Sequence, residues 1–246
     1  MKRVQPDEAK RAVRERIWAL LERERAAPPD VHGHIPAFFG ADAAAERLAN
    51  LSVWRAAQVV KAVPDRAQLP VRAQAIEAGK LLYMAVPRLA REKPFYLLDP
   101  ARLTVPTLEA ASANVAADVA TSVSVEEMSP VDIVVCGSVV VNRQGVRLGK
   151  GAGYSDIEVA LLQEAGLIGP QTTIITTVHP LQLVDEPLPE TDHDFSVDVI
   201  VTTEDVIRCP PSRRPPGILW DRLSAETIAA IPVLAARLRT RLDRSS

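Results

Sequence analysis

Residues Val131–Asp156 read VDIVVCGSVVVNRQGVRLGKGAGYSD. The apolar run Val131–Cys136 predicts a buried strand. Val139–Asn142 predicts a second strand, and Arg143-Gln144-Gly145 the turn that ends it. Gly149, Gly151 and Gly153 then alternate around Lys150 and Ala152 and lead into a helix predicted over Tyr154–Ala165, which Gly166 ends. Strand, glycine loop and helix in that order form a unit of an α/β fold.

The alternation extends in both directions. Upstream, Val59–Val63 predicts a short strand closed by Pro64-Asp65, followed by a helix from Pro70 through Ala78 with Gly79 at its end. Leu81–Val86 and Phe95–Leu98 predict two more strands. Downstream, Thr172–Val178 is a β-branched strand, Asp185–Asp194 an acidic loop, and Val197–Thr202 a strand with the few polar interruptions of a central parallel position. Two helices are expected before them, at about Asp7–Ala26 and Ala41–Asn50, separated by the loop Val31–Gly40. The expected fold is α/β and three-layered, a mostly parallel central sheet flanked by helices.

Residues 1–207 read as one domain. In 208–246, Pro210, Pro211, Pro215 and Pro216 bracket Ser212-Arg213-Arg214 as a stiff linker. A helical appendage predicted over Ser224–Leu242 follows, packed on the domain or on a partner subunit.

The 246 residues are 47 % hydrophobic and 24 % charged, with a net charge of −2, the balance of an ordinary folded chain without a global field for nucleic acid or an anionic membrane. The longest apolar run, Ile133–Val141, is interrupted by Gly137 and Ser138 and is too short to span a bilayer. The leading segment lacks an apolar secretory core and is too acidic for a transit peptide, so a cytoplasmic location is expected. The two cysteines, Cys136 and Cys209, form no disulfide framework. His32, His34, His179 and His193 match no zinc spacing, and neither a nucleophile elbow nor a basic-aromatic nucleic-acid pattern occurs.

The glycine loop Arg147–Asp156 (RLGKGAGYSD) carries the chemistry. Glycines clear side chains from backbone N–H groups that must approach an anion, and a helix start adds free donors and a favourable dipole. Arg147 and Lys150 add charge, Tyr154 can stack on or hydrogen-bond to a ligand, and Asp156 is an oxygen ligand suited to Mg²⁺. Neither the P-loop spacing nor the dinucleotide fingerprint is present: Gly145 and Gly149 enclose three residues, and Tyr154 stands where the last fingerprint glycine belongs. The alternative is a tight strand-to-helix turn with no ligand. On the first helix, Lys10 and Arg14 lie one turn apart, either as a solvated basic face or as two cations sharing one polyphosphate. Phe38 and Phe39 are core anchors or an apolar wall for a ligand ring.

The stretch Val131–Asp156, with LQLVDEPLPETDHDFSVDVIVTTE (181–204) downstream, resembles the signature of the 5-formyltetrahydrofolate cyclo-ligase family. The resemblance spans about residues 7–207 and is strongest over 131–205. It implies conversion of 5-formyltetrahydrofolate and ATP to 5,10-methenyltetrahydrofolate, ADP and phosphate, with Mg²⁺. It implies Arg147 and Lys150 as catalytic cations, and Lys10, Arg14, Gly149, Lys150, Gly151, Ala152, Gly153, Tyr154 and Asp156 as the nucleotide site. Phe38, Phe39, Tyr83 and Tyr154 are candidate folate contacts, and Asp156 and Asp194 candidate Mg²⁺ ligands. The family usually has arginine in place of Lys150, a second tyrosine in place of Ser155 and a basic residue in place of Ile157. Its acidic folate-associated residue is not evident where Pro70-Val71-Arg72 stands, as in a divergent branch. Two other readings stay open: a nucleotide- or folate-binding relative without turnover, and a sugar-phosphate isomerase or transferase on a similar sheet.

Overall fold

The computed structural model describes residues 6–211 and 213–243. Residues 1–5, the start of the leading segment, and Ser212 of the proline-flanked linker lie outside the described residues, as do residues 244–246. The helices are α1 (Pro6–Arg23), α2 (Ala41–Ala49), α3 (Ser52–Ala56), α4 (Leu69–Glu77), α5 (Thr107–Ala110), α6 (Ala113–Val119), α7 (Tyr154–Glu164), α8 (Ala225–Ala230) and α9 (Pro232–Asp243). The strands are β1 (Val59–Ala62), β2 (Leu81–Ala85), β3 (Phe95–Leu98), β4 (Thr121–Val123), β5 (Ile133–Cys136), β6 (Val140–Asn142), β7 (Arg147–Leu148), β8 (Thr173–Thr177), β9 (Leu183–Val184), β10 (Val199–Val201) and β11 (Val206–Arg208).

Eight strands form the main sheet in the order β11-β10-β8-β5-β1-β2-β3-β4. The centre, β2 through β10, is parallel, whereas β3, β4 and β11 join antiparallel at the edges. The expected mostly parallel sheet flanked by helices is present, with antiparallel rims. A second sheet, β7-β6-β9, stands apart from it. Strand alternation does not separate the two, because Val140 and Val141 of β6 are as apolar and as buried as the main strands.

Alternation sorts the main sheet's side chains into two layers. Val60, Ala62, Ile133 and Val135 share a core with α2 and α4–α6. Val134, Cys136, Ile174 and Ile200 face the opposite core with α7 and the chain's C-terminal segment. Lys61, between Val60 and Ala62, therefore points into the α7 layer and ion-pairs with Glu158 there; both side chains are at most 5 % exposed. A third core packs α1 (Ile17, Trp18, Leu21) on Val140 and Leu148 of the second sheet and on the adjoining Val139. This contact brings the charged face of α1 against the glycine loop.

Two expectations need correction. The helix predicted over Ser224–Leu242 is two helices, α8 and α9, broken at Ile231 with Pro232 starting the second. Proline removes an N–H donor and disfavours helical geometry in the residue before it. The expected division at 207/208 falls inside β11, where Arg208 still pairs with Val199 of β10. The linker is also tied down. Arg214 bonds the Thr172 carbonyl at 2.5 Å and Asp198 at 2.9 Å, and Ile231, Val233 and Leu234 are buried in the α7 core. The stretch 99–130, for which periodicity set no elements, holds α5, α6 and β4.

Arg72 staples α4 to the loop after β1. It is 1 % exposed and donates to the carbonyls of Ala111 (2.8 Å), Val63 (2.6 Å) and Asp65 (2.9 Å), while burial pulls its pKa down to about 10. Arg72→Leu strips three carbonyls of their donor and is expected to cost about 3 kcal/mol or more, measured by urea denaturation. A loss below about 1 kcal/mol would mean that water reaches these groups.

Candidate functional site

The chain leaves β1 toward β2 and leaves β5 toward β8, so the strand order reverses between β1 and β5. Loops beyond such a switch part company and leave a crevice at the carboxyl ends of the strands. Asp65 follows β1, and the excursion after β5 carries β7 and the glycine loop. Together with α1 and the 191–194 turn they enclose a cleft of about 110 Å³. Its walls include Lys10, Arg14, Arg147, Lys150, Tyr154 and Asp156, with the backbone of 149–153.

Three of its four cations are paired. Lys10 is 4 % exposed, and its Nζ lies 2.5 Å from Asp194 Oδ2 and 2.9 Å from Thr191 Oγ1. Arg147 ion-pairs with Asp156 and lies over the Phe195 ring, 3.8 Å from its centroid. Its buried Nε has no hydrogen-bond partner among the described residues. Lys150, the most exposed of the paired cations, reaches Asp65 at 3.0 Å. Arg14 makes no ion pair among the described residues; its Nε donates to the Gly149 carbonyl at 2.6 Å.

The glycines shape the cleft floor. Gly151 has φ +100°, and a Cβ there would meet the Arg14 guanidinium at 3.2 Å. Gly153 is the N-cap of α7 with φ +73°, and no side chain caps the helix's first N–H groups. Those donors and the helix dipole are what an anion would meet. Gly151→Ala adds about 1–3 kcal/mol of backbone strain and displaces Arg14. At least tenfold weaker nucleotide binding is expected by calorimetry, and unchanged affinity would count against the loop as the anion site.

Burial pushes the Asp194 carboxyl up, but hydrogen bonds from Lys10 and the Thr191 N–H outweigh it and leave the group below its ordinary range. Burial pulls the Arg14 guanidinium below its ordinary value, against Asp194 and Asp7. In Glu158, beneath the cleft, burial dominates over Lys61 and raises the carboxyl.

Every residue expected at the nucleotide site from sequence lines this one cleft. The readings of Lys10 as solvated and Lys10/Arg14 as an unengaged basic face do not hold, because α1 turns this side inward. Of the expected folate contacts, Tyr154 lines the cleft, and Phe38, Phe39 and Tyr83 do not. Phe38 and Tyr83 are 3 % and 2 % exposed in separate cores; Tyr83 accepts a hydrogen bond from the Ser129 N–H. Phe39 is 57 % exposed. Asp156 and Asp194 both line the cleft. Among the described residues no group of three or more His, Cys, Asp or Glu forms a metal site. Mg²⁺ bound through phosphates needs only one or two carboxylates, so this donor set fits it. Asp65 was not singled out from sequence, although a Pro-Asp step directly after a strand was its available signal.

The fold and the cleft together define the class: an α/β protein with a cationic, glycine-floored cleft at the switch point of its sheet. The model of the 5-formyltetrahydrofolate cyclo-ligase family matches residues 6–203, and the chain belongs to that family. Methenyltetrahydrofolate synthase domain-containing proteins of Mus musculus and Homo sapiens are 37 % and 35 % identical to it over 92 % and 95 % of the chain. The chain spans 62 % of the length of each. The solution structure of Aquifex aeolicus 5,10-methenyltetrahydrofolate synthetase covers 85 % of this chain and 95 % of its own, with a TM-score of 0.54 and 22 % identity, a likeness of fold. No helix among the described residues is long and apolar enough to cross a membrane.

Proposed function

We propose that this chain binds Mg-ATP in the glycine-loop cleft and uses it to convert 5-formyltetrahydrofolate to 5,10-methenyltetrahydrofolate, releasing ADP and phosphate. The observation that carries the reading is the convergence of Lys10, Arg14, Arg147 and Lys150, from two distant parts of the chain, on the uncapped start of α7. Family membership supplies the folate substrate class.

Phosphoryl transfer asks a protein mainly for alignment and charge stabilisation. Lys10 and Arg14 would grip the distal phosphates, and the loop N–H groups would cradle them. Arg147, held over Phe195 and against Asp156, presents a fixed guanidinium, whereas Lys150, paired with Asp65, is the more exposed cation. Asp156 and Asp194 would hold Mg²⁺, which would neutralise charge on the phosphate oxygens. Lys10 would turn from Asp194 to a bound phosphate, which would leave that carboxylate available to hold Mg²⁺.

A second reading, nucleotide or folate binding without turnover, has one observation in its favour: Lys150 is engaged by Asp65. Purified protein mixed with 5-formyltetrahydrofolate and Mg-ATP should develop the near-ultraviolet absorbance of the methenyl product. A flat trace with measurable ATP binding would reject turnover and leave the second reading. Absence of ATP binding would reject both.

A further inference from the structure

A second hollow, of about 230 Å³, adjoins the glycine-loop cleft and shares Gly151, Ala152, Gly153 and Asp156 with it. One wall is α7, through Ile157 and Ala160. The opposite wall is Ile218, Leu219 and Leu223, from beyond the segment matched by the family model. His193 and Arg222 stand at the rim, half-exposed or more.

The far wall is anchored before any ligand arrives. The Ile218 N–H donates to Glu164 of α7 at 3.3 Å, and Arg237 of α9 pairs with the same carboxylate at 3.2 Å. Upstream, Arg214 fixes the linker to Asp198 and the Thr172 carbonyl. Anchored walls keep a small-molecule site largely pre-formed.

We propose that this hollow receives the base and ribose of the nucleotide whose phosphates lie on the glycine loop; the inference rests on the phosphate reading of that loop. A nucleoside needs flat apolar walls with a few polar groups at its edge, adjoining the phosphate site directly. The α7–tail hollow offers all three. The hollow on the other side of the loop is wider and lined mainly by charged side chains, Asp7, Glu8, Arg11, Arg14, Glu15 and Lys150; its one aromatic, Trp18, is 4 % exposed, so it lacks apolar walls for a base. The C-terminal segment is therefore part of the binding site, and it selects a nucleotide over a bare polyphosphate.

Calorimetry of the full chain with Mg-ATP and with Mg-tripolyphosphate tests this. ATP is expected to bind at least tenfold more tightly than tripolyphosphate. Leu223→Trp and Thr227→Trp, both at partly exposed positions lining the hollow, fill it from the tail side. Each is expected to lower ATP affinity at least tenfold and to leave tripolyphosphate affinity within twofold, the latter also showing that the variant is folded. Equal affinity for the two ligands in the parent chain, or ATP binding unchanged in both folded variants, would overturn the proposal while leaving the phosphate site standing. Failure of both ligands to bind the parent chain would overturn the phosphate reading and this inference with it.

Discussion

Lys61→Met is expected to lower the free energy of unfolding by about 3–5 kcal/mol, a large share of the ~5–15 kcal/mol typical of a domain. Lys61 is 1 % exposed on a central strand, and its Nζ ion-pairs with Glu158, 4 % exposed on α7. Removing the lysine leaves a carboxyl that burial already raises with no counter-charge. The acid must then protonate or drag water into the core, and either costs free energy. Removing both charges behaves differently. A buried ion pair forgoes much of its Coulomb attraction to desolvation, so Lys61→Met with Glu158→Leu is expected to recover most of the loss. Urea denaturation of the single and double variants measures the coupling. A single variant within 1 kcal/mol of the parent would show that solvent reaches the pair, and a double variant as unstable as the single would show that the loss is one of packing.

Lys10→Met is expected to weaken Mg-ATP binding about 30- to 100-fold, the equivalent of ~2–3 kcal/mol for a lost charge-assisted contact. Stability should fall as well, because Asp194 loses the cation 2.5 Å away and is left with its Thr191 donors. The pH dependence separates this cause from general damage. The folded pKa of Asp194 lies below its unfolded value, so its contribution is complete above the unfolded value near ~3.9 and is lost as pH falls through the folded pKa. The gap between parent and variant should therefore be full at neutral pH and close below the ordinary carboxylate range. A gap independent of pH would assign the loss to packing around the lysine stem. ATP affinity unchanged in the folded variant would remove Lys10 from the phosphate site.

Some features of the site were legible without coordinates because they are local. The glycine spacing, the helix start at Tyr154 and the one-turn separation of Lys10 and Arg14 follow from backbone geometry within a few residues. Phe38 and Tyr83 were open to misplacement for the opposite reason. An aromatic residue suits a ligand wall and a core equally, and only packing separates the two uses. Lys61 is the sharpest case. Its strand was readable, but nothing within the strand announces a partner 97 positions later. The break at Pro232, by contrast, was present in the sequence, since proline cannot continue a helix whatever it packs against.

The sequence by itself determined the α/β alternation, the glycine loop and the cations available to it, because periodicity, glycine freedom and charge act over a few residues. The tertiary structure decided which of those charges meet. It turned Lys10 inward onto Asp194, brought Asp65 up to Lys150, buried Lys61 against Glu158 and wrapped the C-terminal segment around α7. Those pairings depend on strand order, on the layer each strand residue faces and on the packing of α1, and these are long-range consequences of burying apolar surface that no local pattern encodes.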